Sequence, residues 1–147
     1  LIGQYAHGKE PSHHIAHLYN YVGQPWRTQE IVDEVLHTLY FNNPDGLSGN
    51  EDCGQMSAWY ILNAMGFYQV CPGKPVYSIG RPLFNEATVH LKDGKSFKVI
   101  AHNNSRDNKY VRSIVLNGNK LETPFFTHQD IVDGGTLELT MGSEPLK

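Results

Sequence analysis

The hydrophobic pattern of this chain changes its period near Gly66. Before this glycine, apolar residues recur every three or four positions, which is typical of amphipathic helices. After it, apolar and polar residues alternate, which is typical of half-buried strands. A length of 147 residues suits one compact domain or two small units that share an interface. The sequence therefore predicts an α+β fold, with a helical part over residues 1–70 and an antiparallel β region over residues 71–147.

Three helices are predicted in the first part. Pro11 suits a first helical position and Gly23 a helix end, so the first helix should cover residues 11–23. The second should run from about Thr28 to about Tyr40, because the apolar residues in this range form an amphipathic stripe. The third should run from about residue 52 to residue 65, and its apolar surface on nearly all sides predicts a buried helix. Met56, Trp59 and Tyr60 are expected in its core-facing surface.

Four alternating stretches predict strands in the second part, namely "ATVHL", "SFKVIA", "RSIVLNG" and "TLELTM". Asp93-Gly94 between the first two is a strong hairpin signal, and Asn117-Gly118 is a second turn. The segment "THQDIVDGG" predicts a short helical turn that begins at Thr127.

Composition excludes several classes of protein. The net charge is −3 and no basic run exists, so nucleic acid and anionic membrane surfaces are poor partners. No apolar run approaches the length of a membrane span. Cys53 and Cys71 are the only cysteines, and we interpret them as buried free thiols, with one bridge left open if the protein is exported. The opening "LIGQYAHGKEPSHH" suggests a chain cut from something longer.

Polar chemistry concentrates in two segments, "YAHGKEPSHHIAH" and "PDGLSGNEDCGQ". Both lie at the N-terminal ends of predicted helices, where free N–H groups and a partial positive charge gather polar ligands. Two such ends facing one cleft would form a polar pocket. Sugar sites combine aromatic side chains with Asp, Glu, Asn, Gln and His, and this part of the chain has that mixture. Tyr5, Trp26 and Tyr40 are candidates for the pocket rim.

The histidines allow a second interpretation. His13 and His17 are four residues apart, which permits a zinc pair on one helical face. However, the metalloprotease pattern needs a glutamate where His14 stands. We favour His13 or His14 as hydrogen-bond donors to a polar ligand, and His17 as an ordinary interface histidine.

Asp52 also has two interpretations. With Gln55 three residues later it forms a variant of the capping box, which would stabilise the helix by about 1 kcal/mol without any function. A cap does not explain the neighbouring Glu51, the preceding glycine-rich loop or Gly54. The two roles are compatible, because a helix N-terminus would keep the carboxylate ionised.

Three stretches carry a resemblance to a known family: "HGKEPSHHIAHLYNYVGQPWRTQ", "PDGLSGNEDCGQMSAWYILNAMGFYQVCPG" and "YSIGRPLF". They resemble the C-terminal part of the family 92 glycoside hydrolases, which are exo-acting, calcium-dependent α-mannosidases. The resemblance covers about residues 3–90. It implies a parent protein with a β-sandwich followed by an (α/α)6 toroid, of which this chain holds the last helices and the strands after them.

The resemblance also implies a mechanism and a site. The family inverts configuration by single displacement, and the aspartate of its "GNED" motif, here Asp52, is the catalytic base. The general acid lies upstream, outside this chain. The expected substrate-binding residues are His7, Glu10, His13, His14 and Gln55. The expected oxygen ligands of a Ca²⁺ ion are Glu10, Asn50 and Glu51.

The implied partners are mannose-containing glycans, from which α-1,2-linked terminal mannose is cleaved, and the rest of the parent polypeptide. The implied location is secreted, periplasmic or cell-surface. One departure concerns Lys9, because the family usually has Asn in "GNEPSHH"; the change removes an amide and adds a cation beside Glu10. A non-catalytic carbohydrate-binding module and a zinc hydrolase remain as alternatives.

Overall fold

A computed structural model describes residues 2–147, in which a helical part precedes the strands. Two 3₁₀ segments, Glu10–Ser12 and Ile15–Val22, lead into helices α1 (Pro25–Thr38) and α2 (Gln55–Met65). The strands that follow are β1 (Phe67–Tyr68), β2 (Val76–Ile79), β3 (Glu86–His90), β4 (Ser96–His102), β5 (Tyr110–Leu116), β6 (Asn119–Lys120), β7 (Phe125–Thr127) and β8 (Gly135–Gly142), with helix α3 (His128–Asp133) between the last two. The predicted α+β class is confirmed.

The first predicted helix is not an α-helix. Its backbone bonds join residues three apart, such as His13 N to Glu10 O at 3.0 Å and His17 N to His14 O at 3.0 Å. The prediction of an α-helix over residues 11–23 is therefore wrong in type, although Gly23 ends the segment with φ 73°. His17 is fully buried and bonded to distant side chains, so tertiary contacts, which a local pattern does not report, hold this tighter winding.

Two sheets form the second part. The first has the order β1-β2-β7 and is antiparallel; the second has the order β3-β4-β8-β5-β6. Within the second sheet, β4 and β8 run parallel, so the prediction of a purely antiparallel β region is wrong. The reason is the long connection between these strands, which includes three strands and α3 and lets the chain re-enter the sheet in the same direction.

The local signals for turns and strands were accurate. Asp93-Gly94 connects β3 to β4, and Asn117-Gly118 connects β5 to β6. Helix α3 begins after Thr127, whose side chain accepts a bond from Asp130 N in a capping box. The four predicted alternating stretches correspond to β3, β4, β5 and β8.

Two hydrophobic clusters hold the fold together. One lies on the larger sheet around Phe97, Leu137 and Leu139, and the other joins the 3₁₀ segment, α1 and α2 around Val35 and Trp59. The predicted burial of Met56 and Trp59 is confirmed, since both are 0% exposed. The predicted burial of α2 on all sides is wrong, because Ile61 is 51% exposed and no described element of this chain covers that side.

Polar contacts fix α1 to the strands. Asp33 in α1 lies 2.8 Å from the buried Nε of Arg81, which follows β2. Val111 N donates to Gln29 Oε1 at 3.1 Å, and the Tyr110 hydroxyl donates to Glu30 at 2.9 Å. The helical part and the β part are therefore tied by directional bonds as well as by apolar contacts.

Two further observations concern the surface. Cys53 and Cys71 are both free and exposed, so their predicted burial is wrong; each lies in a turn outside the two hydrophobic clusters. Of the helices in residues 2–147, none has the length and apolar character required to cross a membrane.

Candidate active site

A cavity of about 700 Å³ lies where the first 3₁₀ segments, the start of α2 and the end of β1 meet. Five of the residues predicted from sequence line it: Glu10, His13, His14, Asp52 and Gln55. The opposite wall contains Tyr68, Gln69, Val70 and Pro72, none of which is among the residues predicted from sequence. Gly66 was one sequence signal for that wall. It ends α2, and a chain that reverses direction there returns along the same side of the helix.

Two glycines bring the two polar segments together. A Cβ placed on Gly8 would lie 2.1 Å from the carbonyl oxygen of Ser48, and one placed on Gly49 would lie 3.3 Å from Gly8 Cα. Backbone therefore contacts backbone here, which no larger residue permits. This approach puts Glu10, two residues after one glycine, beside Asp52, three residues after the other.

Asp52 lies in a left-handed stretch that directly precedes α2. Its φ is 51°, and Cys53 and Gly54 follow with φ 57° and 92°. Gly54 is the N-cap residue and no side chain caps there, so the prediction of a capping box at Asp52 is wrong. The left-handed turn directs the Asp52 side chain to the cavity instead of to the free N–H groups of the helix.

Glu51 takes the role that the sequence analysis gave to Asp52. Its carboxylate accepts bonds from Ser57 N at 3.1 Å and from Ser57 Oγ at 2.9 Å, in the first turn of α2. A carboxylate at a helix N-terminus is favoured by the helix dipole. Glu51 does not line the cavity, and the exposed Asn50 does not line it either.

The carboxyl groups of Glu10 and Asp52 share a hydrogen bond. This bond raises the pKa of Asp52, and partial desolvation and the negative charges of Glu10 and Glu51 raise it further. The same bond lowers the pKa of Glu10. The ionisation of these two carboxyl groups at the cavity surface is therefore coupled, since two like charges this close do not ionise independently. Such a pair can accept a proton from a water molecule once Asp52 is ionised.

His13 has a defined tautomer. Its Nε2 lies 2.9 Å from the backbone oxygen of His7, an acceptor, so Nε2 carries the hydrogen. Its Nδ1 then accepts a bond from the Gln55 amide at 3.0 Å, and the same amide nitrogen donates to the Tyr68 hydroxyl at 3.2 Å. Burial lowers the pKa of His13, partly offset by its bond to His7 and by Glu10, so the ring is neutral. The Gln55 carbonyl oxygen stays free for a ligand hydroxyl.

His7 lies behind the cavity wall and does not line it. Only 2% of the residue is exposed, and its ring nitrogens contact the hydroxyl groups of Tyr5 and Tyr40. Burial, followed by the repulsion between His7 and His13 when both are protonated, lowers its pKa to about 4. Because both ring nitrogens already have partners, the His7 side chain has no free nitrogen with which to bind a substrate directly.

The zinc interpretation lacks free ligands. His17 donates from Nε2 to Asn63 Oδ1 at 2.8 Å and contacts Ser78 Oγ through Nδ1 at 3.0 Å, while both nitrogens of His13 are also bonded. The 3₁₀ winding also removes the helical face that the spacing of four requires. The prediction of His17 as an interface histidine is confirmed.

The predicted calcium ligands stay a prediction, and two of the three have other partners within this chain. Glu51 is bonded to Ser57, Glu10 is bonded to Asp52, and Asn50 is exposed on the loop. Across residues 2–147, no group of three or more His, Cys, Asp or Glu side chains is placed to hold a metal ion. The residues of this chain alone therefore do not fit a calcium cage, which takes six to eight oxygen ligands.

Comparison with known proteins assigns the chain to a family. The sequence model described as the glycosyl hydrolase family 92 catalytic domain matches residues 1–143. The chain belongs to glycoside hydrolase family 92. The resemblance seen in the three sequence stretches is thereby confirmed.

Three relatives illustrate the family. An alpha-mannosidase of family 92 from Bacteroides thetaiotaomicron is 45% identical, with a TM-score of 0.94 over 99% of this chain and 20% of its own. A family 92 inverting mannosidase from the same organism is 49% identical, with a TM-score of 0.90 over 98% of this chain and 20% of its own. A protein called an uncharacterized secreted glycosidase, from Arthroderma benhamiae, is 31% identical over 140 residues, which is 93% of this chain and 18% of that protein. This chain thus spans about a fifth of the length of these relatives.

Proposed function

We propose that this chain is the C-terminal part of the catalytic domain of an inverting exo-α-mannosidase, which removes terminal mannose from glycans. The observation that carries the proposal is the placement of Asp52 at the surface of the cavity, with its carboxyl group bonded to Glu10 and its pKa raised. The proposal is also supported by the 49% identity to a protein described as an inverting mannosidase.

In this mechanism Asp52 acts as the general base. Ionised Asp52 removes a proton from a water molecule as the water oxygen bonds to the anomeric carbon. The bond from that carbon to the leaving oxygen breaks at the same time, and a carboxylic acid outside these 147 residues supplies a proton to the leaving oxygen. The acid and base of an inverting glycosidase stand about 6.5–9.5 Å apart, which leaves room for the water.

The remaining cavity residues bind and orient the sugar. Neutral His13 holds the Gln55 amide, so that the Gln55 carbonyl oxygen can accept a bond from a sugar hydroxyl. Tyr68 and Pro72 supply apolar surface for the C–H face of a pyranose ring. Glu10 lies beside Asp52 on the cavity wall and can accept a bond from a second hydroxyl.

Several finer features belong to the same proposal. The helices of this chain complete an (α/α)6 toroid supplied by the rest of the parent polypeptide, and the linkage cleaved is α-1,2. Calcium binds at the same cleft, with most of its ligands coming from outside this chain. The parent protein is exported. This part of the proposal is supported by the Arthroderma benhamiae relative, which is described as secreted.

The alternative of a non-catalytic carbohydrate-binding module is less well supported. The matching family model is that of a catalytic domain, and the site-forming residues sit in a cavity instead of on a flat sheet surface. No observation favours the zinc hydrolase.

The test uses the intact parent enzyme with Asp52→Asn. We expect kcat on an α-1,2-linked mannobiose to fall by about 10²–10⁴-fold, the usual cost of removing a general base, while the circular dichroism spectrum is unchanged. Asp45→Asn serves as the matched control, because that exposed carboxylate does not line the cavity. The anomeric configuration of the product is the second readout: proton NMR of the first-formed mannose should show the β-anomer. An Asp52→Asn enzyme with parental kcat, or α-mannose as first product, would overturn the proposal.

A further inference from the structure

A partly buried chain of hydrogen bonds connects the segment before the first 3₁₀ helix to the first turn of α2. The Tyr5 hydroxyl lies 2.8 Å from His7 Nδ1, His7 Nε2 lies 2.6 Å from the Tyr40 hydroxyl, and that hydroxyl donates to the backbone oxygen of Met56 at 2.9 Å. Met56 directly follows Gln55, so the chain ends next to a cavity residue. None of Tyr5, His7 and Tyr40 lines the cavity.

The direction of every bond follows from the last acceptor. A backbone oxygen can only accept, so the Tyr40 hydroxyl donates to Met56 and its oxygen must accept from His7. His7 therefore carries its hydrogen on Nε2 and accepts the Tyr5 hydroxyl proton at Nδ1. This requires neutral His7, in agreement with the burial of the ring.

The same histidine also contacts His13, through its backbone oxygen and through its ring. The backbone oxygen of His7 accepts the His13 Nε2 hydrogen, and the two rings stack with centroids 4.8 Å apart. Because Nε2 carries the hydrogen, His13 Nδ1 is free to accept the Gln55 amide, which turns the Gln55 oxygen away from His13. Trp59 closes the arrangement by donating from Nε1 to the His13 backbone oxygen at 3.0 Å.

We propose that Tyr40 and His7 are positioning residues of the mannosidase site, which act by fixing the His13–Gln55 pair in the orientation that presents the Gln55 carbonyl oxygen to the sugar. This inference rests on the function proposed above. Neither residue touches the substrate. A chain of hydroxyl and imidazole groups suits the task, because each member has one orientation once the Met56 oxygen fixes the first donor.

A double-mutant cycle on the intact parent enzyme tests this inference. Tyr40→Phe removes one hydroxyl and keeps the ring, and Gln55→Ala removes the group that the chain is proposed to orient. We expect Tyr40→Phe to lower kcat/KM by about 10- to 100-fold, the loss that follows from misplacing a contacting group. In the Gln55→Ala background the same change should cost less than about threefold, because residues that act through one another are not additive.

Tyr60→Phe is the matched control. Tyr60 packs against Tyr40 with ring centroids 4.8 Å apart, but takes no part in the chain of hydrogen bonds. Its loss of a hydroxyl should leave kcat/KM within about twofold of the parent. Nitrogen-15 NMR of histidine-labelled enzyme gives a direct readout, since His13 and His7 should both show the Nε2–H tautomer, and Tyr40→Phe should move His7 to Nδ1–H.

Two outcomes overturn the proposal: parental kcat/KM for Tyr40→Phe, or equal losses from Tyr40→Phe in both backgrounds, which would indicate a general structural role. If Tyr40→Phe does not fold, Tyr5→Phe enters the same cycle with Gln55→Ala, since it removes the other bond of His7, and additive losses there reject the inference. The proposed function fails separately, through an active Asp52→Asn enzyme.

Discussion

Gly8 and Ser48 are in direct backbone contact, and a side chain on Gly8 would lie 2.1 Å from the Ser48 carbonyl oxygen. Gly8→Ala should therefore push the two site-forming segments apart and separate Glu10 from Asp52. Overpacking of this kind costs about 1–3 kcal/mol of stability. We expect a lower melting temperature and a fall in kcat/KM of the intact parent enzyme.

Gly23→Ala is the control for this substitution. Gly23 has φ 73° and open space around its Cα, so alanine there introduces backbone strain without moving the two segments. It should lower the melting temperature but leave kcat/KM unchanged. If Gly8→Ala keeps full activity, the contact does not set the spacing of the two carboxyl groups.

The pH dependence of stability should report on His17. Burial lowers its pKa from 6.5 to about 4 in the folded protein, and the Asn63 bond offsets only part of that effect. The unfolded chain therefore binds the proton first as the pH falls. Stability should be fully present above pH 6.5 and should decline between pH 6.5 and pH 4, by an amount on the order of 3 kcal/mol from this residue.

Thermal unfolding of the intact parent between pH 4.5 and pH 7.5 checks this expectation. His17→Gln should be less stable at neutral pH but should show a shallower slope over this window. His90→Gln, at an exposed position on β3, should keep the parental slope. Identical slopes for the parent and His17→Gln would show that other groups dominate the acid sensitivity.

The Asp33–Arg81 pair should be important for stability. Arg81 is 2% exposed, so Asp33→Ala leaves a buried guanidinium group without its counter-charge. Breaking a buried pair in this way costs about 3–5 kcal/mol. Glu122→Ala, which breaks an exposed pair with Lys120, should have almost no effect. Urea unfolding followed by tryptophan fluorescence compares the two, and equal midpoints would contradict the prediction.

The 147-residue chain by itself should not hydrolyse mannosides. It contains the proposed base but no acid across the ring, and its apolar residues Ile15, Leu18 and Val22 are 40%, 42% and 67% exposed. Incubation with α-1,2-mannobiose and Ca²⁺, followed by assay of free mannose, tests this. Steady turnover that Asp52→Asn abolishes would show that a complete site exists within these residues.

Calcium removal should inactivate the intact parent enzyme. After dialysis against EDTA, we expect activity to fall and to return with added Ca²⁺ and not with Zn²⁺. Glu51→Gln should lower the melting temperature more than it lowers calcium affinity, because Glu51 supports the first turn of α2. A large loss of calorimetric calcium affinity in this variant would return Glu51 to the ligand set.

The sequence determined those features that depend on neighbouring residues. The change of period at Gly66 gave the α+β class, the Asp93-Gly94 and Asn117-Gly118 pairs gave the two turns, and Thr127 gave the cap of α3. The three motif stretches identified the family and five residues of the cavity wall. These signals are local because turn conformations, caps and apolar faces are fixed within a few residues.

Tertiary structure decided the rest. Asp52 does not cap α2 because three successive left-handed residues turn it toward Glu10, and Glu51 takes its place at the helix. The parallel pairing of β4 with β8 depends on where a long connection re-enters the sheet. The tautomer of His7 depends on the Tyr40 hydroxyl, 33 positions away along the chain, which donates in turn to the backbone oxygen of Met56. Hydrogen bonds between distant residues carry no sequence period, so only the folded chain reveals them.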